Sequence, residues 1–269
     1  MSLRRIRRAL LSVSDKTLLV ELAKSLAEFE VELISTGGTF KAIKEAGLAV
    51  KEVSEVTQFP EMLDGRVKTL HPKIHGGILY IRDNSEHEST VKHHGIGPID
   101  LVVVNLYPFE ATRAKPGVEW HEVVENIDIG GPSLIRAAAK NYDGVCVLVD
   151  PTQYEDFMGK LRAGQGRIDA ATRRALAGAA FARTAAYDAL IAQAFADQSP
   201  ASKLPSNLTI QLCKSMDLRY GENPHQVGGF YVEAHVPGGF IAGAKQIHGK
   251  ELSYNNILDL DSAWNLVCE

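Results

Sequence analysis

Cysteine is scarce. Cys146, Cys213 and Cys268 are the only three in 269 residues, and none stands in a CxxC pair or at a metal-ligand spacing, so neither a disulfide framework nor a zinc cluster is expected. An odd, scattered set of thiols fits a reducing cytoplasm. Long apolar runs are missing too, since nothing approaches the roughly 20 residues of a membrane span. Charge of one sign is not in excess: 29 Lys and Arg face 33 Asp and Glu, a formal net charge of −4. That balance excludes a nucleic-acid coat and a polybasic membrane binder. The arginines at positions 4, 5, 7 and 8 are followed by no apolar segment and no small-residue cleavage site, and a strand begins at Ala9. No targeting segment is expected there. With 45% apolar and 23% charged residues, the composition is that of a folded globular chain, with room for one large domain or two modest ones.

Short apolar runs alternate with helix-period segments. Ala9–Val13, Val31–Ile34, Leu101–Val104 and Val145–Val149 have the Val, Ile and Leu content of buried parallel strands. Between the first two, Leu18, Leu22, Leu26 and Phe29 mark an amphipathic crossover helix over Lys16–Phe29. A second helix, Phe40–Ala46, ends at Gly47. The pattern is α/β, a largely parallel sheet with helices on both faces. The Ala-rich stretch from Asp169 to Ala196 predicts one or two helices packed on the domain or on a partner subunit. Polar, proline-bearing Asp197–Ser202 marks a boundary, which divides the chain into residues 1–199 and 200–269. The second part carries strand-like Leu208–Leu212 and Gly229–Val232 and a helix-like Leu258–Val267, and is marginal in size for its own core.

Chemistry is expected where strands end. The first strand runs into Ser12-Val13-Ser14-Asp15-Lys16 and the second into Ser35-Thr36-Gly37-Gly38-Thr39, each just before a helix. Glycines and hydroxyls at helix starts cradle phosphate, and ligands of open α/β sheets bind at such edges. Taken singly, Ser14 or Thr39 is better read as an N-cap, but two such loops on adjacent strands favour an anion site. Asp64–Pro72 adds Arg66, Lys68 and Thr69 beside turn residues. His71 and His75 lack the Glu of a zinc-protease helix, so no metal is expected, and His87, His93 and His94 fall in a polar surface segment. The strand Leu101–Val104 leads into Asn105-Leu106-Tyr107-Pro108-Phe109. Asn126-Ile127-Asp128-Ile129-Gly130-Gly131-Pro132 then opens a helix with Pro132 at its first position, and Arg136 and Lys140 share one face of it.

Together Ser12–Thr17, Ser35–Thr39, Gly65–Pro72, Asn105–Phe109, Ile127–Gly131 and Arg136–Asn141 resemble the bifunctional purine biosynthesis family, phosphoribosylaminoimidazolecarboxamide formyltransferase / IMP cyclohydrolase. Leu218–Gln226 and Leu252–Asn256 resemble the start of its formyltransferase half. The resemblance implies a methylglyoxal-synthase-like fold for the first part. It implies IMP cyclohydrolase chemistry, a purine ribonucleotide substrate, a cytoplasmic homodimer, and no cofactor for ring closure. Lys68, Tyr107, Asp128 and Lys140 would be catalytic: Lys68 and Tyr107 in proton transfer, Lys140 with the Gly130 amide at the oxyanion. Ser12, Ser14, Asp15, Lys16, Thr36, Gly37, Gly38, Thr39, Arg66, Val67, Thr69, Asn105, Ile129, Gly130 and Gly131 would bind substrate. Arg219 and Tyr220 would contact the substrate of the other activity, which uses 10-formyltetrahydrofolate. Crowding of Lys16, Arg66, Lys68 and Lys140 is expected to lower the pKa of a catalytic base. The formyltransferase also needs a Lys-His pair and a folate-binding portion beyond Asn255, so no formyl transfer is expected of this stretch. Two other readings compete: a non-catalytic nucleotide-binding regulatory module of the same fold, and methylglyoxal synthase.

Overall fold

The computed structural model describes residues 3–63, 66–198, 209–233 and 240–269. Asp64 and Gly65, the proposed boundary over Ser199–Ser202 and Leu208 lie outside them. The chain falls into two compact units, residues 1–198 and 199–269.

The strands of the first unit are β1 Arg4–Arg5, β2 Arg8–Val13, β3 Glu32–Ser35, β4 Lys51–Glu52, β5 Leu101–Asn105, β6 Cys146–Leu148 and β7 Arg167–Ile168. Its helices are α1 Leu19–Ala27, α2 Gly37–Glu45, α3 Val53–Thr57, α4 Pro72–Leu79, α5 Ser85–His93, α6 Phe109–Arg113, α7 Trp120–Glu125, α8 Gly130–Lys140, α9 Tyr154–Ala163 and α10 Ala170–Asp197. Five strands form one parallel sheet in the order β4-β3-β2-β5-β6. β1 and β7 pair separately and antiparallel.

Alternation along each strand divides the core between two faces. Leu10, Ile34, Val102, Val104 and Val147 pack under one layer with residues of α4, α8 and α10. Ala9, Leu11, Leu33, Leu101, Val103, Cys146 and Leu148 pack under the other with α1 and α9. From β2 the chain moves outward to β3 and β4, then returns to place β5 on the opposite side of β2. The β2–β5 seam is therefore the topological switch point, where the two connections diverge and leave a crevice at the strands' carboxyl ends.

Local chemistry shifts several expected boundaries. The first crossover helix begins at Leu19 rather than Lys16, because the Asp15 carboxylate holds Thr17 in a turn, accepting from its amide at 2.9 Å and its hydroxyl at 2.7 Å. Gly37 and Gly38 do not precede α2 but form its first turn. Pro132 is the third residue of α8, not the first. The Ala-rich segment is a single helix, α10, burying Arg173, Ala177, Ala180, Thr184, Tyr187 and Ala194 along one side.

Two arginines hold the frame from inside. Arg82 donates to the carbonyls of Gly77, Ile78, Tyr80 and Ile99, satisfying the end of α4. Arg173, 1% exposed, donates to Tyr142 O at 2.9 Å and Ile168 O at 2.5 Å and faces Asp143.

In the second unit, β8 Cys213–Leu218 and β9 Gly228–Val232 form an antiparallel hairpin, and α11 Tyr254–Cys268 is capped by Ser253. The expected strand at Leu208–Leu212 is displaced: the strand begins at Cys213, and Ile210 and Leu212 are exposed. No helix among the described residues is long and apolar enough to cross a membrane.

Arg173→Met keeps the aliphatic stem and strips two buried carbonyls of their donor. It is expected to cost about 2–4 kcal/mol, read as a lower urea midpoint with an unchanged slope. An unchanged midpoint would show that water replaces the guanidinium.

Candidate functional site

The switch point is fastened by one side chain. Asn105, last residue of β5 and paired in register with Val13, accepts on Oδ1 from Ser14 Oγ at 3.1 Å and from the Asp15 amide at 2.8 Å. Its Nδ2 donates to the buried hydroxyl of Tyr154 at 3.0 Å. Ser14 Oγ also lies 2.8 Å from Leu106 O. Ser14 is thus no helix cap; it ties the end of β2 to the end of β5.

Thr39 is not a cap either. Inside the first turn of α2, its hydroxyl donates to Val13 O and accepts from Val13 N, both at 3.0 Å. Thr36 Oγ1 stands 3.5 Å from Ser12 Oγ. These contacts draw the start of α2 against the end of β2. Gly37 there has φ +50°, a left-handed backbone that glycine adopts without steric cost. A Cβ at this position would stand 3.9 Å from Lys68 Nζ.

Lys68 arrives on the strap between α3 and α4, where Val67 and Met62 form a single antiparallel bridge. The next residue, Thr69, reaches α8: a Cβ at Gly130 would lie 3.2 Å from Thr69 Oγ1. At Gly131 a Cβ would meet Asp128 Oδ2 at 2.4 Å and Leu106 Cδ2 at 2.8 Å, so glycine is required for close approach. Asp128 Oδ1 accepts from the Gly131 amide at 2.8 Å, and the Tyr107 amide donates to the same carboxylate. Burial pushes the Asp128 carboxyl above the usual carboxylate range, against the two amides that lower it.

The contacts close a circuit around the sheet's carboxyl edge. It runs from Ser12 and Ser14 to Thr36 and Gly37, across to Lys68 and Thr69, on to Gly130, Gly131 and Asp128, and back through Leu106 and Asn105. Tyr107 and Ile129 are exposed on this rim, at 48% and 62%. Lys16 folds back so that its ammonium donates to the carbonyls of Val13 and Ser14; burial lowers its pKa. Asp15 contributes its backbone amide, while its carboxylate is turned to Thr17.

Lys140 does not join this circuit. α8 is the crossover from β5 to β6 and runs against the strand direction, so its first turn faces the carboxyl edge and its last the opposite edge. Ten residues at 1.5 Å separate Lys140 from Gly130 by about 15 Å, beyond a lysine side chain's reach. Within one chain, therefore, Lys140 and the Gly130 amide stand apart along α8. Two of the cations expected to crowd together carry carboxylate partners within the chain: Arg66 pairs with Glu125, and Lys68 pairs with Glu61 at 2.9 Å. Arg219 and Tyr220 belong to the second unit, where the Arg219 amide donates to Leu252 O at 2.8 Å and Tyr220 O accepts from the Tyr254 amide at 3.1 Å.

Sequence reasoning missed Glu61, Glu125, Tyr154 and Tyr187 as neighbours of the site. Glu61 lies only seven residues before Lys68, a spacing suited to a short hairpin. The two tyrosines carry no local signal, since each sits in a helix among ordinary core residues. His71 caps α4, its Nδ1 accepting from the Lys73 amide at 3.1 Å. Among the described residues no three His, Cys, Asp or Glu side chains are grouped to hold a metal ion.

Two family matches divide the chain: the MGS-like domain over residues 18–133 and the AICARFT/IMPCHase bienzyme over residues 138–269. The bifunctional purine biosynthesis protein PurH of Halalkalibacterium halodurans is 54% identical over 263 residues, covering 98% of this chain and 51% of that protein. PurH of Bradyrhizobium diazoefficiens is 56% identical over 270 residues, covering 99% and 50%. The chain spans about half the length of the curated relatives it matches. The crystal structure of ForH superposes with a TM-score of 0.65 at 36% identity, over 71% of this chain and 97% of that one.

Because its folded-state pKa is raised, Asp128 contributes stability that is present below the ordinary carboxylate pKa and lost as pH rises through the raised value. Asp128→Asn keeps an acceptor for Gly131 and Tyr107 without the buried charge. The variant is expected to melt at or above the wild-type temperature at pH 7, with the advantage shrinking as pH falls toward 4. Paired thermal scans across that range test this, and a pH-independent difference contradicts it.

Proposed function

This chain belongs to the PurH family of bifunctional purine biosynthesis proteins, and on that premise we propose that its first unit is an IMP cyclohydrolase. The reaction closes the ring of a formamido-imidazole carboxamide ribonucleotide and expels water. One observation carries the reading: the closed circuit of hydroxyls, glycine amides, Lys68 and Asp128 at the β2–β5 switch point.

The substrate holds nucleophile and electrophile in one molecule, so the protein has three tasks. It fixes the formyl carbon against the carboxamide nitrogen, an orientation that removes roughly 7–11 kcal/mol of barrier in favourable cases. The hydroxyls of Ser12, Ser14, Thr36 and Thr39 and the glycine-led first turn of α2 suit the sugar-phosphate. The second task is stabilising the oxyanion that forms as nitrogen attacks the formyl carbon. The Lys68 ammonium serves this from one side. On the other stands the Gly130 amide, which lies at a helix start and has no intrahelical acceptor. The third is taking the proton from the attacking nitrogen. Asp128 is the acceptor in this reading, since partial burial raises its pKa and so makes its carboxylate a stronger base, and Tyr107 on the same rim orients the carboxamide. That proton converts the oxyanion to a hydroxyl, which then leaves as water with the proton of the former formamide nitrogen as the ring C=N double bond forms. Ring closure in this scheme needs no cofactor.

Formyl transfer from 10-formyltetrahydrofolate belongs with the family's other activity, to which Arg219 and Tyr220 of the second unit correspond. A homodimer and a cytoplasmic site of action accompany the same reading. A regulatory nucleotide-binding module would use the hydroxyl and glycine contacts equally well, but would have no need of a partly buried Asp128 beside them.

Spectrophotometric detection of IMP from the formamido ribonucleotide is the direct test. Lys68→Ala is expected to lower kcat about a hundredfold or more, the scale of one lost oxyanion donor. Asp128→Asn should lower it by about 10²–10⁴, the scale of a lost general base. Nucleotide binding without turnover by the wild-type chain would favour the regulatory module, and turnover of dihydroxyacetone phosphate instead would favour methylglyoxal synthase.

A further inference from the structure

The Asp128 backbone amide is bound by a side chain that lies 59 positions away. Tyr187, on α10 and 2% exposed, accepts from the Asp128 backbone amide at 2.8 Å and donates to Asn126 O at 3.4 Å. Its ring stands edge-on to Phe109, centroids 6.0 Å apart at 71°. A phenylalanine would fill the same space and keep that ring contact. The hydroxyl carries a desolvation cost in a buried setting unless it is bonded, and both its bonds go to the Asn126–Asp128 turn.

Through that turn the hydroxyl governs more than one residue. Asp128 accepts from the Gly131 amide, which fixes the start of α8 beside Thr69, and from the Tyr107 amide, which fixes the rim at the end of β5. Without the anchor, the Asp128 amide loses its acceptor and the turn is free to rotate its carboxylate off both amides.

We propose that Tyr187 is a positioning residue of the cyclohydrolase site, holding the Asp128 backbone so that its carboxylate, Tyr107 and the first turn of α8 keep one fixed arrangement. The inference rests on the function proposed above. Small displacements of reacting groups are costly, about a hundredfold in rate for 1 Å.

Tyr187→Phe in the full chain tests it with two readouts. Amide hydrogen exchange at Tyr107 and Gly131, neither of which touches Tyr187 through its own N–H, is expected to quicken about tenfold or more. IMP formation is expected to lose about tenfold or more in kcat with KM within about twofold, the split that marks lost transition-state geometry rather than lost binding. Slow exchange at both amides, or an unchanged kcat, overturns the proposal and leaves Tyr187 a core residue only. If the wild-type chain makes no IMP, the function reading fails on that result alone, and the exchange rates at Tyr107 and Gly131 then decide the positioning role by themselves.

Discussion

The site depends on one amide side chain. Asn105 sits where β2 and β5 part company, and it spends both ends of its amide there, the oxygen on Ser14 and Asp15 and the nitrogen on Tyr154. Backbone pairing ends at Val13 and Asn105, so beyond that point nothing in the sheet holds the two loops together. A residue with an acceptor and a donor on one planar group can bridge loop to loop and loop to helix at once, which neither aspartate nor leucine can do. The loops that leave β2 and β5 at this edge, carrying Ser14 and Leu106, therefore start from points that this amide fixes.

Helix direction decides which residues can share that edge. In a right-handed parallel crossover the helix returns against the strands, so each one offers its first turn to the carboxyl edge and hides its last. α2 and α8 both follow this rule, and both open on a glycine pair, Gly37-Gly38 and Gly130-Gly131. Lys140 closes α8 and for that reason is carried to the other side of the sheet. Closeness in sequence to Gly130 is misleading here, because ten helical residues convert chain proximity into spatial separation.

Much of this was legible in the sequence because it depends on local pattern. The four buried strands, the class of fold, the glycine-bearing helix starts and the hydroxyls at strand ends follow from apolar alternation and from turn chemistry. What stayed hidden depends on long-range register. Ser14 and Thr39 read as caps until the neighbouring strand is present to receive their hydroxyls. Tyr154 and Tyr187 read as core because a helix pattern reports that a ring is buried but not what its oxygen meets. The acids Glu61 and Glu125 carry no signal of their own, and only the bridge between Met62 and Val67 and the docking of α7 bring them to Lys68 and Arg66.

Those two ion pairs also set the electrostatic character of the edge. Arg66 and Glu125 are both largely exposed, with side chains 66% and 58% accessible, whereas Lys68 is more enclosed at 28%. Pairs in contact with solvent contribute only about 0–1 kcal/mol, so each carboxylate holds its cation in place without binding it strongly. Under the proposed function, an anionic group entering between Gly37 and Gly130 would displace only a weak partner from each cation. The asymmetry separates the two cations. Arg66, in open solvent with a forked guanidinium, suits recognition of a phosphate that stays hydrated. Lys68, partly enclosed beside the α2 glycines, acts where the dielectric is lower and a single positive charge counts for more. Under the proposed function, binding and chemistry fall to different cations of one strap, two residues apart.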